Sequence, residues 1–286
     1  MDTGRRTIVV GVDASRESDD AVDWARGVAG SNDRIVVVHG WDVPIVTSYE
    51  MVVVVDPHEI EVAAKQGLDD LLGRVGDARL EAVDAQGMAG RVIVEQGESA
   101  DLVVVGHRGS SRASLILGST ANYVLHHTTK PVVVVRGTGV RPPRRIVVGV
   151  DDHELSTEGE NSSVRAVQWA WSVPGVEEVV AAHAWFIPAL AIGRMSSYAI
   201  DSEEMDTAAR GVVDRVLRAA GKPPEGVRVV VESIRGTPGF ALIEASSEAD
   251  LVVVGSRGRG GFVGLILGST SAEVVSHSHC PVAVIR

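Results

Sequence analysis

The chain has 286 residues, is 45% hydrophobic, carries a formal net charge of -11 and contains one cysteine, Cys280. That length accommodates one large or two ordinary domains. The acidic balance argues against a nucleic-acid surface, and a lone cysteine excludes an intrachain disulfide and points to a reducing compartment.

No apolar run approaches a membrane span, and the opening Met1-Asp2-Thr3-Gly4-Arg5-Arg6-Thr7 lacks the apolar core of a signal peptide, so a soluble cytoplasmic protein is expected. The first strand is predicted near 6–12, where Ile8-Val9-Val10-Gly11-Val12-Asp13 runs apolar up to a carboxylate. A helix near 16–29, a strand near 34–40, a helix near 58–75 and a strand near 78–84 follow. A strand near 101–106, a helix near 118–127 and a strand near 131–136 complete the alternation. Strands alternating with helices give an α/β fold, a parallel sheet with helices on both faces.

The pattern is then written again. Ile146-Val147-Val148-Gly149-Val150-Asp151 matches the first strand, and Ser163, Ala166 and Trp169 match Ser18, Ala21 and Trp24. Pro281-Val282-Ala283-Val284-Ile285-Arg286 matches Pro131-Val132-Val133-Val134-Val135-Arg136. Repeats decide architecture, so two domains are expected, 1–137 and 144–286, joined by a linker at 138–143. The repeat also decides a segment that propensity misreads. Arg91-Val92-Ile93-Val94-Glu95 looks like a strand, but it aligns with the helical Phe240-Ala241-Leu242-Ile243-Glu244, and a parallel crossover needs a helix there. A helix over 88–99 is therefore predicted. The second copy differs by an acidic insertion after Asp151 and by the added Lys222-Pro223-Pro224-Glu225.

Each copy carries a glycine-rich loop between its fourth strand and last helix. The second reads Gly255-Ser256-Arg257-Gly258-Arg259-Gly260-Gly261 and closes on Gly268-Ser269-Thr270. The first reads Gly106-His107-Arg108-Gly109-Ser110-Ser111-Arg112 and closes on Gly118-Ser119-Thr120, one residue shorter. Glycines admit a ligand close to the backbone, and N–H groups with the positive end of the helix dipole favour an anion. The arrangement is a candidate phosphate cradle, with plain turns as the alternative.

These residues resemble the universal stress protein family in its tandem two-domain form. The resemblance rests on the Gly-Val-Asp end of the first strand and on the glycine loop. Gly255, Gly258, Gly268 and Ser269 match the spacing of the family's ATP-binding branch; Gly106, Gly109, Gly118 and Ser119 match it one residue short. The resemblance implies two Rossmann-like five-stranded sheets of order 3-2-1-4-5, with ATP between strands one and four. The implied site comprises Gly11, Asp13 and Val38 with the loop residues Gly106 to Ser110, Arg112, Gly118, Ser119 and Thr120. In the second copy it comprises Gly149, Asp151 and Ala182 with Gly255 to Gly261, Gly268, Ser269 and Thr270. Asp13 and Asp151 would bond adenine, with helix capping as their plain alternative. The backbone near Val38 and Ala182 would complete the base pocket, and Arg108, Arg112, Arg257 and Arg259 would supply counter-charge. Magnesium would be held mainly by the phosphates.

The function so implied is nucleotide-dependent regulation in a stress response, with at most weak ATP hydrolysis. The alternative is a dimeric scaffold that docks a partner protein without nucleotide; a homodimer is expected in either case. No Gly-Lys-Ser/Thr P-loop, no Gly-x-Gly-x-x-Gly after the first strand and no nucleophile elbow is present. His39 and His183 are read as core or rim residues. His126, His127, His277, His279 and Cys280 are read as structural, without a metal. Trp24 and Trp169 are assigned to the core. The apolar stretches 52–55 and 188–200 are candidate interfaces or lids.

Overall fold

A computed structural model describes residues 5–43, 46–47, 52–53, 56–108, 117–136, 141–152, 161–187, 201–256 and 267–286. The chain divides into two compact units, unit 1 (Met1–Val135) and unit 2 (Arg136–Arg286). In unit 1 the order is β1 (Thr7–Gly11), α1 (Arg16–Val28), β2 (Arg34–Trp41), β3 (Val46–Thr47), β4 (Val52–Val53), α2 (Pro57–Val75), β5 (Leu80–Gln86), α3 (Ala89–Gly97), β6 (Leu102–Gly106), α4 (Ser119–His127) and β7 (Val132–Val135). In unit 2 it is β8 (Arg145–Gly149), α5 (Ser162–Ser172), β9 (Glu178–Trp185), α6 (Ser202–Ala220), β10 (Arg228–Arg235), α7 (Pro238–Ala245), β11 (Leu251–Gly255), α8 (Ser269–His277) and β12 (Val282–Ile285).

Each unit has its own parallel five-stranded array. The order is β5-β2-β1-β6-β7 in unit 1 and β10-β9-β8-β11-β12 in unit 2, the expected 3-2-1-4-5 in both. In unit 1, α1 and α2 pack on one face of the sheet and α3 and α4 on the other; α5 and α6, then α7 and α8, repeat this in unit 2. Covering on both faces explains why the inner strands read as unbroken Val and Ile runs. Val10, Val37, Val104, Ile146, Val180 and Val253 are fully buried.

The segment 88–99 is helical, as the repeat required: α3 buries Gly90, Val92, Ile93 and Gly97. Its local β-propensity is overridden by this packing and by the crossover from β5 to β6. Strand β5, predicted from residue 78, starts two residues later at Leu80. Helix α2 ends on Gly76 in the left-handed region, and a turn closed by Leu80 N–H on the Asp77 carbonyl intervenes. Trp24 is buried in the core, but Trp169 is only partly buried. On α5 the buried stripe is Ser163, Ala166, Val167, Ala170 and Trp171, so Trp171 occupies the core and Trp169 falls off the stripe. The stretch 52–55 contributes Val52 and Val53 to a short antiparallel pair with Thr47 and Val46; the stretch 188–200 lies outside the described residues. Among the described residues no helix is long and apolar enough to cross a membrane.

Candidate functional site

Strand order reverses at β8 in unit 2, between β9 and β11. In open α/β sheets a crevice forms there, beyond the carboxyl ends of the strands. The structure has a cavity of about 1020 Å³ at this place. Its lining includes Gly149 at the end of β8 and Asp151 just past it, Ala182 and His183 on β9, Gly255 at the end of β11, and Gly268 to Ser271 at the start of α8. Seven predicted site residues therefore meet at one cavity: Gly149, Asp151, Ala182, Gly255, Gly268, Ser269 and Thr270. Ser256 is buried beside it. Arg257, Gly258, Arg259, Gly260 and Gly261 lie outside the described residues.

Among the described residues no side chain caps the helix end facing the cavity. Gly268 is the N-cap of α8, its carbonyl accepts from Ala272 N–H, and it has no side chain to bond the first-turn N–H groups. Those groups and the helix dipole form an anion-favouring floor. Ser271 is turned away from this task, since its Oγ donates to the Gly255 carbonyl at 2.7 Å. The loop base is tied in two steps. Ser256 N–H donates to the Ile285 carbonyl, and Gly268 N–H donates to the Ser256 carbonyl at 2.8 Å. Unit 1 has the same base: His107 N–H to the Val135 carbonyl and Gly118 N–H to the His107 carbonyl. The one-residue difference in length thus falls between these bases.

The strand-end glycines also have packing roles. A Cβ on Gly149 would lie 2.7 Å from Leu242 Cδ1, and one on Gly255 would lie 2.9 Å from Ser162 Cβ. Gly11 and Gly106 repeat this against Ile93 and the Glu17 carbonyl. Close helix packing requires Gly255 and Gly106 whatever binds beside them, because Ser162 Cβ and the Glu17 carbonyl cannot rotate away, whereas the Leu242 and Ile93 side-chain tips beside Gly149 and Gly11 can.

The first-strand aspartates are placed differently. Asp13 Oδ1 accepts from Ser15 Oγ at 2.5 Å and Ser15 N–H at 3.2 Å, and Ser15 caps α1. Its carboxylate thus helps shape the turn into the helix, with Ala14 in the left-handed region at φ 58°. Asp151 N–H donates to Ser163 Oγ at 2.8 Å. The buried Val38 and Ala182 carbonyls accept from Val12 and Val150 N–H, which carries the ladder one residue past each first strand.

The histidines sit at the rim, as read. His183 Nδ1 donates to the Val150 carbonyl at 2.7 Å and lines the cavity. His39 Nδ1 lies 3.2 Å from Asp84 Oδ1, and Trp41 Nε1 donates to Asp84 Oδ2. Unit 2 has Ser233 where unit 1 has Asp84, and there Trp185 Nε1 donates to Ser233 Oγ. His127 and His277 bond carbonyls one helical turn back.

Unit 1 has a smaller cavity of about 480 Å³, lined by α2, Val12, Ala14, His39 and Trp41. Gly11, Asp13, Val38, Gly106, His107, Arg108, Gly118, Ser119 and Thr120 do not line it. His107 is buried, Ser119 is exposed at the start of α4, and Gly109, Ser110 and Arg112 lie outside the described residues. The predicted residues therefore converge around the larger cavity in unit 2 and do not line this smaller one.

The sequence reading missed one wall of the larger cavity. Met205, Ala208, Ala209 and Val212 of α6 line it. Their spacing marks an apolar helix stripe, which is indistinguishable from ordinary core without the fold. Trp185, Phe186, Asp152 and Arg215 complete the rim.

A family model described as the universal stress protein family matches residues 4–136 and again 143–286. A universal stress protein of Mycolicibacterium smegmatis is 33% identical over 295 residues, covering 98% of this chain and 96% of its own. One of Mycobacterium tuberculosis is 31% identical over 297 residues with the same coverage. Among solved structures, a universal stress protein from Archaeoglobus fulgidus aligns with a TM-score of 0.66 at 22% identity, covering 98% of this chain and 96% of that one.

Proposed function

We propose, for a chain that belongs to the universal stress protein family, that unit 2 binds one ATP and that occupancy regulates what the chain docks in a stress response. The observation that carries this reading is the cavity of about 1020 Å³ with the uncapped N-terminus of α8 at its floor. Its volume suits a nucleotide-sized ligand. Its lining divides in kind: Trp185, Met205, Ala209 and Val212 suit an apolar base, and Gly268, Ser269 and Thr270 suit phosphates. A magnesium ion would enter with the phosphates, which supply most of its ligands. In unit 1 the smaller cavity stops short of the loop base, so that unit is assigned a supporting role. Homodimerisation and a protein partner belong to the same proposal.

The test is a nucleotide count. Protein purified without added nucleotide is denatured and the released nucleotide quantified; the emptied protein is then titrated with ATP. One site per chain is expected. Ser269→Asp should abolish it while keeping α8 folded, because a carboxylate at the first helical position suits the dipole but repels phosphate. Ser119→Asp should leave the count at one. No binding at millimolar ATP would overturn the proposal and favour the nucleotide-free scaffold.

A further inference from the structure

The rim of the unit 2 cavity holds an ion pair that unit 1 lacks. Arg215 Nε and Nη2 both donate to Asp152 Oδ2, at 2.8 and 2.5 Å. Asp152 lies three residues past the end of β8 and Arg215 lies on α6, so the pair spans two walls, and both residues line the cavity. Arg215 is the one arginine or lysine among the described lining residues, which also include the carboxylates Asp151 and Asp152. Its side chain is 50% exposed, whereas that of Asp152 is 18% exposed. The third guanidinium nitrogen lies over Gly211, one turn back, 3.4 Å from where a Cβ would stand.

Unit 1 serves as an internal control. Helices α2 and α6 have the same length, each with an aspartate N-cap and a glycine C-cap. They therefore align residue for residue, and Asp70 stands where unit 2 has Arg215. The first strands align equally well and set Ala14 against Asp152. Both members of the pair are replaced together, although Asp70 and Ala14 also line a cavity.

We propose that Arg215 gives the unit 2 cavity its preference for anionic ligands, with Asp152 as a stand-in anion that the ligand's phosphate displaces. The inference rests on reading the cavity as a nucleotide site. A half-exposed ion pair is weak, so breaking it costs little. A phosphate can take the guanidinium through two parallel charge-assisted hydrogen bonds, which are stronger. The resident carboxylate therefore holds the guanidinium in place and sets a threshold that an uncharged nucleoside does not overcome through Arg215.

Calorimetric titration of the full chain with ATP and with adenosine tests the exchange. Asp152→Asn removes the competitor and is expected to tighten ATP binding by roughly fivefold, leaving adenosine within about a factor of two. Arg215→Gln should weaken ATP by about tenfold with adenosine again little changed. The double variant should bind ATP no more tightly than Arg215→Gln alone, because the gain from Asp152→Asn comes through the released guanidinium. If the pair were a structural staple, Asp152→Asn would leave ATP affinity unchanged or lower it, and that result overturns the proposal while the nucleotide reading stands. If the unmodified chain binds neither ATP nor adenosine, inorganic tripolyphosphate is titrated into the Asp152→Asn protein. Binding that disappears on adding Arg215→Gln supports the exchange, and absence of binding overturns it.

Discussion

Cys280 lies just before β12, where burial pushes its thiol up to about 11 despite the Ser278 hydroxyl beside it. The nucleophile is the thiolate, so a thiol with a raised pKa that is also walled in reacts slowly near neutral pH. We expect the native protein to resist iodoacetamide near pH 7 and to be labelled promptly once unfolded in guanidinium. Rapid labelling of the native protein, read by intact mass, would contradict this assignment. At the residue scale the glycines show how far a motif is legible. Gly149, Gly255 and Gly268 were singled out by the glycine-loop motif and the family resemblance, but neither could reveal that Leu242 and Ser162 press against the first two. Asp152 and Arg215 gave no local signal, because a helix and a strand end 63 positions apart meet only in the folded unit.

Element by element, the repeat carried more information than local propensity. Helix α3 became visible because it aligns with the helical Phe240-Ala241-Leu242-Ile243-Glu244 and a parallel crossover needs a helix there; the structure shows that counterpart, α7, opening with Pro238 and burying Gly239, Ala241 and Leu242. The strand starting at Leu80 was misplaced because the Gly76 turn depends on how α2 ends, which composition does not mark. The fit of α3 is demanding: a Cβ on Gly40 of β2 would lie 2.6 Å from Ala89 Cα. That atom is backbone and cannot rotate away, so α3 must shift as a body. Gly40→Ala should lower stability by about 2 kcal/mol, measurable as an earlier denaturant midpoint. Unit 2 already has Ala184 at the corresponding position, so its β9–α7 packing is set differently.

Across the whole molecule, the two units hold their charges differently. In unit 1, Asp77 receives hydrogen bonds from Arg79 and Arg26, and these hold its carboxyl well below the usual range. Arg79 also donates to the Ala29 and Gly30 carbonyls at the end of α1, so the pair fastens α1 to the start of β5. Burial alone would raise Asp33, but Arg6 and the Gly30 N–H outweigh it and hold it low. Carboxyls depressed in the folded state stabilise it above the unfolded carboxylate pKa of about 4 and lose that contribution as pH falls. Asp20, raised by burial, works in the opposite direction. In unit 2 the carboxyl held low in this way among the described residues is Asp206, which is partly exposed beside Arg210. Unit 1 should therefore lose protection first when pH drops below about 4, seen as earlier hydrogen exchange in β1, α1 and β5 than in β8 and β9.

The paired loop bases have an evolutionary consequence. Because Gly118 and Gly268 each return their N–H to the residue after the fourth strand, whatever length is gained or lost in between leaves strand and helix in place. The socket is inherited while its insert is free to vary. After duplication, one copy can therefore lose or change its ligand without endangering the fold that both copies share.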